Sequence, residues 1–390
     1  MTHSPEGKPL VRTTSRSDER GIALAVALFA LVVIGAMVAG TFYIARLEQK
    51  TGDNTLYAAQ AFGAAEAGAD NVIATWNSFT YNSMVVGSST GLATVSLGGG
   101  NFYTDTLTRL SNTVFLIRSA GERRLANATV LARRMIGRFL RLDVPAINIA
   151  AAVTTRGAIT VSGSSQISGR DSIPVGWGSS CPPAGPTQPG IRDSSNSVTT
   201  TGACSGASCI TGSPQILIDP TVTSATFTQF GSVSFSDLFN SATISVYGTI
   251  TSVGPSITGI PPSCNTASTT NWGDPLNPLG LCFNYLPIVA AAGGTRITGG
   301  VGQGILLVNG DLEVSGGFEF YGPVVVTGTV TSTGTGGHFY GGLLAGNADF
   351  ETSLLTGNSV VDYSSCTLQR ALVGSAKAAP MAQRSWTQLF

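Results

Sequence analysis

The residues whose types and spacing could do chemistry are few: six cysteines, two histidines, one serine between glycines and some carboxylates on glycine-rich segments. Gly87-Ser88-Ser89-Thr90-Gly91 has the five-residue outline of a nucleophile elbow, but no strand-to-helix pattern surrounds it, and His338 is the only histidine that follows it. Asn309, Asp311 and Glu313 alternate, so on one strand they would share a face and could offer oxygens to Ca²⁺. An ordinary polar outer strand face has the same pattern. Glu313 and Glu319 could form a glycosidase-type or lyase-type pair, with Arg296 as the nearest basic partner in the sequence. No Walker-type phosphate loop occurs. Cys181, Cys204, Cys209, Cys264, Cys282 and Cys366 read as up to three disulfides in an oxidising compartment, with Cys264 and Cys282 the economical pair and the connectivity otherwise open. Cys204 to Cys209 lacks the tight paired spacing and nearby histidine of a zinc knuckle. These signals predict no catalytic residue, no metal site and no cofactor.

The 390 residues must position these groups with little charge: only 11% are Asp, Glu, Lys or Arg, the formal net charge is zero and 49 residues are Gly. An ordinary soluble domain carries about 25% charged residues and about 7% Gly. A hydrophobic share of 43% excludes a disordered chain, and zero net charge gives no support to a nucleic-acid partner. The composition favours β-structure rich in turns.

Residues 21–45, GIALAVALFALVVIGAMVAGTFYIA, carry no charged side chain and are bracketed by Arg20 and Arg46. As a helix this segment would span roughly 37 Å, more than the ~30 Å of a bilayer core. Lys8, Arg12, Arg16 and Arg20 precede it, whereas only Arg46 and Lys50 follow closely, so the expected topology is single-pass in the inner membrane with a cytoplasmic N-terminus. All six cysteines then lie on the exported side. Beyond the span, Phe62, Ala65, Ala69, Val72, Ile73 and Trp76 recur at helical spacing, which predicts continuation of the helix to about residue 78 with that stripe on a head and Gln60, Glu66 and Asp70 in water.

The run ERG-IALAVALFALVVIGAMVAG, the Arg-Leu-Glu-Gln at 46–49 and YAAQAFGAAEAGADNVIATW together resemble the N-terminal region of PilX-type minor pilins of type IV pilus systems, relatives of the minor pseudopilins of type II secretion. The resemblance covers roughly residues 17–145. It implies cleavage by a prepilin peptidase between Gly21 and Ile22, and helix partners that are other pilins. The family pattern has Glu where this chain has Val26, a residue held to pair with a neighbouring subunit's terminal amine. Val there implies a rare, initiating or tip-located subunit. Gly35, Ala36, Ala39 and Gly40 would let neighbouring helices approach closely.

From 79 to 144 the texture becomes strand-like, with NFYTDTLTRL, TVFLIRS and ATVLARRMIGRFL separated by turn residues, predicting an antiparallel meander on the helix. This segment holds Arg109, Arg118, Arg123, Arg124, Arg133, Arg134, Arg138 and Arg141 among the chain's 21 basic residues, read mainly as solvent-facing strand positions. An acidic neighbouring subunit is the next reading. From 145 to 372 acids outnumber bases and Gly, Ser and Thr crowd the chain. Apolar triplets begin at Ile305, Val324, Leu343 and about Val361, a spacing near 19 that fits one turn of a right-handed parallel β-helix, with a β-sandwich as the competing fold. Residues 173–213 and 259–287 read as cysteine-stapled insertions, and 373–390 as a tail.

The fold expected is therefore α+β: a leader (1–21), an assembly helix (22–78), a β meander (79–144), a β-helical domain (145–372) and the tail. The function expected is a non-enzymatic minor pilin-like subunit incorporated into, or priming, a pilus or pseudopilus. The alternative is a membrane-anchored extracytoplasmic β-helix enzyme or binding protein acting on polysaccharide.

Overall fold

The computed structural model describes residues 19–346, 353–355, 358–381 and 386–389. Lys8, Arg12 and Arg16, on which the topology argument rests, lie outside them. Helix α1 (Glu19–Ala74) is continuous across the apolar run and the amphipathic stretch that follows. Thr41, Thr51 and Thr55 satisfy their hydroxyls inside it, donating to the carbonyls of Val38, Leu47 and Thr51. A short turn of helix, α2 (Ser78–Tyr81), then leads into an antiparallel sheet of β1 (Ser89–Gly91), β2 (Val95–Gly98), β3 (Asn101–Arg109), β4 (Val114–Arg124) and β5 (Val130–Asp143).

The alternation of β3 and β4 explains the head. Tyr103, Asp105, Leu107 and Arg109 face inward from β3, and Phe115, Ile117 and Ser119 from β4, under Ala65, Ala69 and Val72 of α1. Phe62, Ile73 and Trp76 pack partly buried beside them, as the helical stripe predicts. Gln60 departs from expectation, since it is half-buried with Oε1 sealed from water and unpartnered. Residues 377–380 and 386–389 are no loose tail: Lys377–Pro380 and Trp386–Leu389 both pair antiparallel with β5, closing the far edge of the head.

The rest of the chain forms a curled, parallel sheet, which rules out the β-sandwich reading. Its strands fall into three ladders. The first runs Ile216–Ile218, Ile191–Asp193, Val153–Thr155, 343–345, 324–326, Ile305–Asn309, 288–292 and 244–247, every neighbour parallel. The second joins Val198–Thr200, Ile159–Val161, Ser353–Leu355, Val330–Ser332, Leu312–Val314 and 295–297. The third joins Ile210–Thr211, Gln166–Ser168, Val360–Tyr363, 338–341, 318–321 and Val301–Gln303.

Leu306, Val324 and Leu343 do stack, as the repeat predicts, but the next rung is Val153 and not Val361. Val361 instead pairs with Phe339 and Ile167 on another ladder. The chain enters the sheet in the middle, builds outward through residues 191–218, crosses to the opposite end at Ile244 and returns rung by rung to its entry point. Within 173–213, Ile191–Asp193, Val198–Thr200 and Ile210–Thr211 are sheet, not insertion, because they extend the ladders.

The crossover carries α3 (Ser224–Thr228) and α4 (Phe235–Asn240), whose Phe227, Phe235 and Leu238 cover the outer side of the first ladder on Ile288, Ile305, Leu307, Val325 and Leu344. The inner side buries Val289, Leu306, Val308, Val324, Val326 and Leu343. Burial on both faces is why these strands read as unbroken apolar triplets. Helix α5 (Ser365–Ser375) packs on the same covered side through Leu368 and Ala371.

Candidate assembly surface

Helix α1 divides into two regimes. From Ile22 to Leu47 its large apolar side chains point into open space: Ile22 is 66% exposed, Phe29 70% and Phe42 69%. The helix passes the length and hydropathy requirements for crossing a membrane. From Ala61 onward small residues seat it on the head, with Ala61, Ala64, Ala65 and Ala69 buried. The reason for small residues is close approach. A Cβ at Gly121 would collide with the backbone of Ala61 and Ala65, and one at Gly68 would lie 2.6 Å from Ser119 Oγ and 2.7 Å from Tyr103 Cδ2.

Gly121→Val is therefore expected to destabilise the head by about 3 kcal/mol, since backbone cannot yield as a side-chain tip can. Gly63, where an added Cβ meets nothing within 4 Å, is the control: Gly63→Ala should be neutral or stabilise by up to about 1 kcal/mol through helix propensity. Urea unfolding of the detergent-solubilised chain reads both. Equal behaviour of the two variants would contradict this packing.

Asp105 lies beneath this contact, 2% exposed, with Oδ1 lacking a partner. Burial pushes its carboxyl above the usual range, the neighbouring Ser119 hydroxyl opposing in part. The folded state thus binds a proton more tightly than the unfolded chain, so the carboxyl's favourable contribution is complete below about pH 3.8 and is lost as pH rises through the raised folded value. Asp105→Asn is expected to stabilise the head at pH 7, with the gain shrinking as pH falls toward 3.8. Thermal unfolding of both proteins across pH 4–8 measures it, and a pH-independent difference would argue against an ionisable origin.

Of the expected site residues, Ile22 and Val26 are exposed on the bare half, and Gly35 and Gly40 have open space around them. Gly21 lies within α1. Glu66 is exposed beside the seated half, a helical span away from Val26. Asp70 pairs with Arg138, joining helix to β5.

The arginines do not act alike. Arg124 and Arg133 pair with Glu122, whereas Arg118, Arg134 and Arg141 face solvent. Arg109 is only 8% exposed and overturns the solvent-facing reading. It donates to the carbonyls of Asn82, Met84, Ser111 and Asn112 at 2.5–3.1 Å and lies over the Phe115 ring. Its side chain fixes two loops at the sheet's end.

All six cysteines are bonded: Cys181–Cys366, Cys204–Cys209 and Cys264–Cys282. The last staples the 259–287 insertion, which is also held by Gln303 Nε2 donating to the carbonyls of Cys282, Phe283 and Tyr285.

The chemical candidates disperse. Ser89 lies on edge strand β1 with its hydroxyl bonded to Thr108. The chain turns a corner at Gly310, so Asn309 and Glu313 sit on different ladders, while Asp311 Oδ1 accepts the Thr329 amide. Glu313 pairs with Arg296 at 3.3 Å and Glu319 accepts from Tyr321 Oη at 3.0 Å, so the two carboxylates of the imagined pair sit on different ladders with different partners. No group of three His, Cys, Asp or Glu suited to a metal occurs among the described residues.

Asn82 gave no signal in sequence, yet it joins head to sheet. Its Oδ1 accepts from Trp76 Nε1, and its Nδ2 donates to the carbonyls of Val373, Gly374 and Ala376 at the end of α5. A single asparagine after an aromatic helix end has no sequence signature for such a role.

The fold is thus a bare apolar helix seated on a β-rich body. No protein-family model and no curated protein matches the chain. Among solved structures, the crystal structure of competence-associated pilin ComZ from Thermus thermophilus is similar at 13% identity over 85% of this chain and 97% of that one, with a TM-score of 0.25. So loose a superposition carries no argument about this chain.

Proposed function

We propose that the protein is a pilin-like structural subunit of the PilX-type minor class, built into or priming a type IV pilus or related pseudopilus. In this reading prepilin peptidase cuts between Gly21 and Ile22, the N-terminus is cytoplasmic, and the curled sheet is a right-handed parallel β-helix carried outside the cell. The observation that supports it is the division of α1. Its apolar half has no partner among the described residues, and its other half is packed on the head through Ala61, Ala65 and Ala69. Exposing the apolar half to water would cost on the order of tens of kcal/mol. Lipid meets that demand before assembly; neighbouring helices meet it in a filament, with Gly35 and Gly40 admitting close contact.

The experiment is N-terminal sequencing of the exported protein together with its co-sedimentation with sheared filaments. A terminus at Ile22 that disappears with Gly21→Val, along with filament association, supports the proposal. An uncut N-terminus with no filament association in the native protein refutes it.

A further inference from the structure

Between the head and the curled sheet lies a cleft of about 410 Å³, within the size range of small-ligand sites. Its walls come from the α2 loop, the β3–β4 turn, residues 180–182, residues 284–286 and α5. Two guanidinium groups line it, Arg109 and Arg370, and no carboxylate does. Neither arginine has an ion-pair partner among the described residues. In a chain with so few charges, two cations sharing one cleft is an unbalanced arrangement.

The two differ in what they have left to give. Arg109 spends its donors on four backbone carbonyls and serves the walls. Arg370 stacks over Phe283 at 4.2 Å and Trp177 at 5.0 Å. Its only hydrogen bonds among the described residues are long ones from Nη2, 3.4 Å to Phe283 O and 3.3 Å to Asn284 Oδ1, and its Nε is buried without a partner. Burial holds the Arg370 guanidinium down to about 10, so it remains a cation at neutral pH. A half-buried cation short of acceptors is stabilised by an anion, and a carboxylate matches the guanidinium fork.

The remaining polar lining is neutral: Asn112, Asn284, Gln369 and Ser180 supply amides and a hydroxyl, with Leu286 as an apolar wall. Neutral amides beside one cation suit a ligand with one negative group and several hydroxyls. We propose that this cleft binds a carboxylate-bearing sugar residue, with Arg370 receiving the carboxylate and Asn284 and Gln369 the hydroxyls. The walls are preorganised, because Cys181–Cys366 ties the 180–182 segment to α5 and Asn82 ties α5 to the head. The site does not depend on the filament reading, since every wall lies outside the apolar half of α1.

The test is calorimetric titration of the full detergent-solubilised chain with galacturonic acid, galactose, sulfate and a short peptide with a free carboxyl terminus. The expected result is saturable galacturonic acid binding, at least tenfold tighter than galactose, sulfate or the peptide. Arg370→Gln should weaken it at least tenfold and Arg370→Lys by less. Gln369→Ala, at an exposed position, should weaken it several-fold with an unchanged unfolding temperature, and decides the matter if Arg370→Gln does not fold. Galactose binding as tightly as galacturonic acid, preference for sulfate or peptide, absence of binding, binding unchanged in a folded Arg370→Gln variant, or indifference to Gln369→Ala would overturn the assignment.

Discussion

A chain lacking residues 1–46 is expected to remain in aqueous solution as a monomer, with the unfolding temperature of the full protein's folded body. The basis is spatial. Side chains from Ile22 to Leu47 that are large and apolar project away from the body, and the first buried helix residue is Ala61. Removing them deletes an apolar surface whose transfer free energy is on the order of tens of kcal/mol and, among the described residues, no internal contact of the head. Sedimentation velocity and thermal unfolding provide the check. A truncated protein that aggregates or melts early would mean that the bare half supports the body. Within the full chain, Ile34→Arg should cost about 3 kcal/mol of membrane insertion, seen as easier extraction from the membrane fraction by urea or detergent, because the arginine falls near the middle of the span.

The second large effect concerns Cys181–Cys366. Replacing both with serine is expected to lower stability by about 5 kcal/mol, because the bond closes a loop with a sequence separation of 185. The same reasoning gives about 3 kcal/mol for Cys264–Cys282, with separation 18, and about 2 kcal/mol for Cys204–Cys209, with separation 5. Denaturant midpoints of the three double variants should follow that order. The reverse order would mean that local geometry outweighs chain entropy here.

What the sequence made legible was whatever leaves a period or a long apolar run. The apolar stretch before Arg46, the stripe from Phe62 to Trp76 and the strands around Phe115 and Leu140 were readable because each buries or exposes one side at a fixed spacing. The triplets at Ile305, Val324 and Leu343 were readable because their ladder is covered on both sides. What stayed hidden depends on contacts between distant residues. Val361 breaks the apparent repeat because the chain had already placed Val153 beside Leu343. The terminal strands look like a polar tail because an edge strand on β5 needs only backbone pairing. Arg109, Asn82 and Arg370 look like ordinary surface residues until the loops that surround them are assembled.

The order in which the rungs are laid down sets a timetable for the growing chain. Ile159 emerges early, but its neighbour Ser353 arrives only near the end of synthesis, and so does the cysteine that Cys181 requires. The oldest segment must therefore wait, one flank unsatisfied, until the youngest slides in beside it. Maturation ends on a closing step, slow because its contacts are so distant along the chain, and a polypeptide truncated before residue 353 would have no keystone.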